Sequence, residues 1–240
     1  MDNISEHEND KRALTAVSII VLTIMAALVG TLFAVTRYPA MLPGLANSLL
    51  GAEPKAYWYL SRATGLTSFF LLWLSMAMGI SITNRMAKVW PGGPTAYELH
   101  EFFSLLGIAF ALFHGAILMG DRYIHFSLAQ VLLPFTTQQY RPFWVGIGQL
   151  SFYVWGIVTI SFYMRKRINT PNWRLVHYGS YLVFALALAH GIMSGTDSGL
   201  SWTNIMYWSS SAALFFLLIY RILVSTGNKQ KQKRPAITSL

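Results

Sequence analysis

Residues 172–195 read NWRLVHYGSYLVFALALAHGIMSG, an apolar stretch with His177 near its start and His190 near its end. Residues 95–120, TAYELHEFFSLLGIAFALFHGAILMG, form its counterpart, with His100 near the start and His114 deep inside. Each is long enough to cross a hydrocarbon layer, which takes about 20 apolar residues in a helix. An ionisable side chain in hydrocarbon is costly, so four histidines in two spanning segments mark a functional site.

The spacing limits what those histidines do. At about 1.5 Å rise per residue, fourteen positions put His100 and His114 roughly 21 Å apart along one helix, too far to share a metal ion. Fourteen steps of about 100° fall only about 40° short of four turns, so both rings lie near one face. If His177 and His190 sit at matching depths on a neighbouring helix, the pairs are His100 with His177 and His114 with His190. A closed zinc site takes about four protein ligands, whereas haem iron already has four ring nitrogens and needs only axial ones. Two bis-histidine b-type haems fit the pattern. Thirteen steps from His177 to His190 leave an ideal helix about 140° short of four turns. Either the two haem planes are rotated about the bundle axis, or the helix is distorted between its ligands, and Gly179-Ser180 is the kind of pair at which helices bend.

Outward from these segments, the 240-residue chain is 54% hydrophobic and only 11% charged, with further long apolar runs, as in a polytopic membrane protein. It has no cysteine, which excludes disulfides, cysteine-ligated iron–sulfur clusters and covalently attached c-type haem within it. The polar residues 1–12 read as a tail, with His7 a solvated residue, and 13–35 as a retained first span, since a signal peptide carries a basic start and a shorter apolar core. Pro39, Pro43, Gly44, Gly51 and Pro54 punctuate a long connection. The second span, about 57–83, opens on the girdle Tyr57-Trp58-Tyr59. Arg62 just inside it reads either as a snorkelling interfacial cation or as a partner for a haem propionate.

Thr95 and Glu98 match a capping box and so are expected to open the third helix. Residues 121–141 are too short of apolar length to cross and are expected to lie on the surface or fold back, with His125 solvated or interfacial. The fourth span is expected over 143–164, ended by Arg165-Lys166-Arg167, and Thr170-Pro171 is expected to cap the fifth. Arg174, one turn before His177, suits a propionate contact and equally suits placement on the positively charged side. The sixth span is expected over 202–224, followed by a basic tail over 225–240. Met119 and Met193, near the outer histidines, read as packing residues rather than ligands.

Six spans put both termini on one side. That side holds thirteen of the eighteen Lys and Arg residues, and the other holds Arg37, Lys55, Arg62, Arg122 and Arg141. The positive-inside rule then places both termini in the cytoplasm, His100 and His177 toward that face, and His114 and His190 toward the outside. The net charge of +9 is thereby accounted for by topology and by attraction to anionic lipid headgroups, with no nucleic acid required.

The histidine spacings, fourteen on the third span and thirteen on the fifth, resemble those of the ferric reductase-like transmembrane domain. That family includes eukaryotic ferric reductases, NADPH oxidases and the haem-binding membrane subunit of the bacterial methionine-sulfoxide reductase system. The resemblance covers about 57–224 and is carried by the four histidines. It implies that His100, His114, His177 and His190 are axial haem ligands and that electrons pass through the membrane to an outer acceptor. Larger members carry a flavin- and nicotinamide-binding domain after the last span. Here sixteen residues follow Val224 and no G-x-G-x-x-G element is present, so the donor is expected to be a separate cytoplasmic flavin reductase, quinol or another subunit, as in stand-alone bacterial members.

The sequence thus predicts an all-α membrane protein of six transmembrane helices around two b haems, in a bacterial inner or plasma membrane. Its function would be electron transfer to an extracytoplasmic acceptor, within an oxidoreductase system. No nucleophile triad or general acid–base pair is evident. Two other readings stand beside it: a haem- and quinone-binding anchor subunit of a larger dehydrogenase complex, and a haem-free scaffold whose histidines pair with polar groups between helices.

Overall fold

The computed structural model describes residues 56–84, 86–121 and 124–233, with side chains as far as 224, together with Leu22 and Met25. The rest of the expected first span, the connection after it as far as Lys55, Arg85 and Arg122 lie outside the described residues. Among the described residues every regular element is helical. In chain order these are α1 (Ala56–Thr83), α2 (Gly93–Ala116), α3 (Leu128–Leu132), α4 (Pro142–Tyr163), α5 (Arg165–Ile168), α6 (Thr170–His177), α7 (Gly179–Ser194) and α8 (Ser201–Lys233). Short 3-10 turns at Met86–Lys88 and Ile117–Gly120 precede and extend α2.

Five stretches are long and apolar enough to cross a membrane: Ala56–Thr83, Gly93–Gly120, Pro142–Tyr163, Thr170–Ser194 and Ser201–Val224. Among the described residues the regular structure is all helical, and five such stretches make this a multi-pass membrane protein. These five match the second to sixth expected spans with ends within two residues, because a run of about 20 apolar residues must satisfy its backbone internally. Beyond the last span the helix does not stop: α8 carries on to Lys233, through a basic stretch rich in the helix formers Lys and Gln.

The chain divides into two compact units, Met1–Leu72 with Ser104–Ser198, and Trp73–Phe103 with Gly199–Leu240. In the first, small residues let helices approach closely, which in lipid replaces the hydrophobic drive between them. The Ser68 hydroxyl donates to the Gly107 carbonyl at 2.8 Å, and a Cβ on Gly107 would stand 2.7 Å from the Trp155 ring. The Trp155 indole N–H reaches Ser104 Oγ at 3.3 Å, and the Ser151 hydroxyl donates to the Val183 carbonyl at 2.9 Å, tying α4 to α2 and α7. In the second unit the Trp73 indole N–H donates to the Ser210 carbonyl at 3.0 Å and the Asn84 amide to Leu217 at 3.4 Å, so α1 and α8 run the same way there.

Several local expectations are corrected. Thr95 and Glu98 do not cap α2: the helix starts at Gly93, with Ala96 N–H bonded to the Gly92 carbonyl at 2.9 Å. Gly92 has φ +105°, which glycine adopts freely, and this turns the chain into the helix before Thr95 is reached. A true capping box sits instead at Ser127 and Gln130, opening α3. The cap of the fifth span is Asn169, whose side chain accepts from Asn172 N–H at 3.1 Å, one residue before Thr170.

The segment after α2 folds back, as expected. The Gln149 amide of α4 donates to the Gln130 and Val131 carbonyls at 2.7 and 2.8 Å, and the Tyr153 hydroxyl donates to Leu132. His125 is exposed there. Of the two explanations for the thirteen-residue spacing, a distortion is present: α6 ends at His177 and α7 begins at Gly179. At the junction Tyr178 N–H bonds both Arg174 and Val176 carbonyls, and Tyr181 N–H closes onto Tyr178 at 3.1 Å, a tight i to i+3 turn. Counting 100° per residue through it therefore does not give the relative bearing of His177 and His190.

A candidate metal centre at His114 and His190

His114 lies in the last turn of α2 and His190 in the last two turns of α7, both in the first unit. Their ring centroids are 6.0 Å apart with planes at 77°. A metal held between two imidazole nitrogens at about 2 Å from each places the centroids roughly 6 Å apart. The spacing suits one centre with two protein ligands.

Each ring is anchored at Nδ1. His114 Nδ1 lies 2.7 Å from the Ser61 carbonyl, and His190 Nδ1 lies 2.8 Å from the Trp144 carbonyl. A carbonyl only accepts, so each Nδ1 must carry the proton, and Nε2 is left with its lone pair. This is the arrangement by which metal-binding histidines are held in one tautomer and made more basic.

Anchoring needs a gap in the facing helix. An internal helix carbonyl already accepts from the amide four residues on, and its remaining approach is crowded by that residue's side chain. Under His114 that residue is Gly65, where a Cβ would stand 2.8 Å from Nδ1, and under His190 it is Gly148, where it would stand 2.5 Å from Nδ1. In both seats a carbonyl at position i is opened by glycine at i+4.

The same seat recurs in the second unit. His100 Nδ1 lies 2.7 Å from the Ser75 carbonyl, and a Cβ on Gly79, four residues on, would stand 3.1 Å from the ring. Ser61 and Ser75 are fourteen apart, like His114 and His100. Both serines are buried, and each hydroxyl adds a clip. Ser61 Oγ lies 3.0 Å from His114 Nδ1 and donates to the His114 carbonyl at 3.1 Å, while Ser75 Oγ does the same at His100, at 3.1 and 3.2 Å.

His177, in the first unit, ends α6 half-buried, with the Trp173 ring 5.2 Å away and tilted 34° to it. His100 belongs to the other unit. Arg174 is exposed on α6. Met119 and Met193 are largely exposed, and the Met193 carbonyl accepts from Arg141. Among the described residues no three His, Asp or Glu side chains converge as ligands for a bare ion.

Arg62 is engaged by Asp197, with Nε donating to Oδ2 at 2.7 Å and the second nitrogen bonded to both carboxylate oxygens. It also lies over the Tyr59 ring at 5.5 Å. Nearby in the first unit, the Tyr140 hydroxyl donates to the Ser194 carbonyl at 2.6 Å. Burial raises the Tyr140 phenol above its ordinary pKa, with Arg141 and Arg62 partly opposing it, so it stays a donor.

Sequence reasoning singled out the four histidines and missed what seats three of them, His100, His114 and His190. Asp197, 135 residues from Arg62, gave no local signal. The seats did leave one: S-x-x-x-G at 61–65 and again at 75–79, at the same fourteen-residue interval as the histidines of the next span. No protein-family model, no curated protein and no solved structure matches this chain.

Proposed function

We propose that this chain is a membrane b-type cytochrome, a stand-alone relative of the ferric reductase-like transmembrane domain. In this reading it carries electrons from a separate cytoplasmic flavin reductase or quinol to an extracytoplasmic acceptor. The observation that carries the reading is the pair His114 and His190, with centroids 6.0 Å apart and each Nδ1–H committed to a main-chain carbonyl. Two neighbouring imidazoles, each left with an Nε2 lone pair and with no third ligand among the described residues, suit a metal that brings its own equatorial donors. A second haem at His100 and His177 rests on the sequence spacing and on the recurrence at His100 of the seat seen at His114.

Haem bound there would supply a reversible one-electron Fe(III)/Fe(II) couple. The chain's own part is placement. Its carbonyls fix the imidazole tautomers, its glycines admit the rings, and its apolar helices keep water from the site. Arg62 and Arg174 remain candidates for haem propionates, Arg62 in company with Asp197. The cation distribution supports cytoplasmic termini, with the His114–His190 site toward the outer face.

Optical redox titration of the detergent-purified protein tests the reading. Two reduced b-type components are expected, one abolished by His114→Ala or His190→Ala and the other by His100→Ala. A single component would favour a haem- and quinone-binding anchor subunit. Absence of any haem absorption after reconstitution would sink the proposal.

A further inference from the structure

The serine hydroxyls do something the carbonyls beneath the rings do not need. At His114 the Ser61 carbonyl alone, 2.7 Å from Nδ1, fixes the tautomer, yet Ser61 Oγ stands 3.0 Å from the same nitrogen and donates its own hydrogen bond to the His114 carbonyl at 3.1 Å. The N–H is thus shared between two acceptors, and the second is polarised by donating onward, which strengthens it as an acceptor. At His100 the arrangement is repeated by Ser75, with 2.7, 3.1 and 3.2 Å in place of those distances. At His190 the Trp144 carbonyl is the acceptor given to Nδ1, and tryptophan has no hydroxyl to add a second.

We infer that Ser61 and Ser75 are positioning residues that set the reduction potentials of two separate centres, each through the imidazole it clips, and set them by equal amounts. The inference rests on the haem reading above. A second acceptor on Nδ1–H makes the imidazole a stronger donor through Nε2, and a stronger axial donor favours the ferric state and lowers the potential. Because the two clips have nearly the same geometry, they bias both centres alike. Any difference in potential must then come from the opposite ligands, His177 and His190, or from solvent exposure.

Potentiometric titration of the full-length, haem-loaded protein in detergent, followed optically, reads this directly. Ser61→Ala should raise the potential of the component that His114→Ala abolishes, by about three- to tenfold in the ferric/ferrous equilibrium, where tenfold is about 59 mV for one electron. It should leave the other component in place. Ser75→Ala should act the same way on the component that His100→Ala abolishes, and threonine at either position should restore the original value. If an alanine variant does not fold, Ser→Cys supplies a weaker acceptor in a similar volume and should shift the potential the same way by less. Unmoved potentials in a folded alanine variant, a shift of both components by one serine, or failure of threonine to rescue would each overturn the assignment. A wild-type protein without b-type absorption would instead overturn the haem reading beneath it.

Discussion

The two histidine-bearing spans solve one problem in different ways. The third span, α2, is one unbroken helix whose histidines, fourteen apart, both sit on α1 through a serine carbonyl and a glycine. The fifth tightens at Tyr178, its histidines are thirteen apart, and His190 sits on α4 through Trp144 and Gly148. Fourteen is two heptads, after which a helix comes back to within about 40° of the same face. Within the first unit Ser61 meets His114 and Ser68 meets Gly107, a step of seven along α1 answering a step of seven back along α2, and within the second Ser75 meets His100. Thirteen admits no such repeat. The tight i to i+3 turn from Tyr178 to Tyr181 lies between these two histidines.

The seats give the sharpest way to break this comparison. Gly148→Ala places a methyl 2.5 Å from His190 Nδ1, Gly65→Ala 2.8 Å from His114 Nδ1, and Gly79→Ala 3.1 Å from the His100 ring. Overpacking of this kind costs about 1–3 kcal/mol. The expected order of damage, in haem retained after purification and in thermal midpoint, is Gly148, then Gly65, then Gly79. No loss at any of the three would mean that the glycines do not admit the rings, and an equal loss would mean that these distances do not rank them.

A smaller effect should follow from cutting the tie between α1 and the end of α7. Asp197→Asn or Arg62→Gln leaves the surviving partner half-buried without its counter-charge, at a cost of about 1–2 kcal/mol read as a lower thermal midpoint. The double variant should be closer to wild type than the two losses added together, because neither charge is then stranded. Straight additivity would show that the pair is not coupled.

The smallest effect is confined to alkaline pH. Since burial raises the folded Tyr140 pKa, the unfolded chain releases this proton first as pH rises through about 10. The folded protein should therefore lose stability from about pH 10 upward, a contribution fully present below that pH. Tyr140→Phe removes that part of the alkaline loss and, at neutral pH, costs the hydrogen bond to Ser194, about 1 kcal/mol. Identical alkaline melting profiles for the two proteins would remove Tyr140 from the account.

Much of the fold was legible because membrane spans are written in composition: five ends-to-ends stretches matched within two residues. Helix starts were less legible. The Thr95–Glu98 pattern lost to Gly92, whose positive φ begins the helix earlier, and Thr170 lost to Asn169, itself at φ 63°, since a local capping motif does not outrank the turn that delivers the chain to it. The histidines stood out as ionisable groups in an apolar run. Their acceptors did not, since a carbonyl is the same at every residue and only the missing side chain at i+4 distinguishes those three. Comparing the serine–glycine interval with the histidine interval would have exposed two of them. The third, under His190, has no serine and no repeat.

One consequence concerns mutation. The atoms that hold His100, His114 and His190 in their tautomers belong to the main chain, so no substitution at 61, 75 or 144 can delete them. Conservative replacements there, such as serine by alanine, should retain more of the fold than Gly→Ala at 65, 79 or 148, four positions away. The vulnerable letters of this site are glycine codons, which carry no functional group and would be passed over in a search for one.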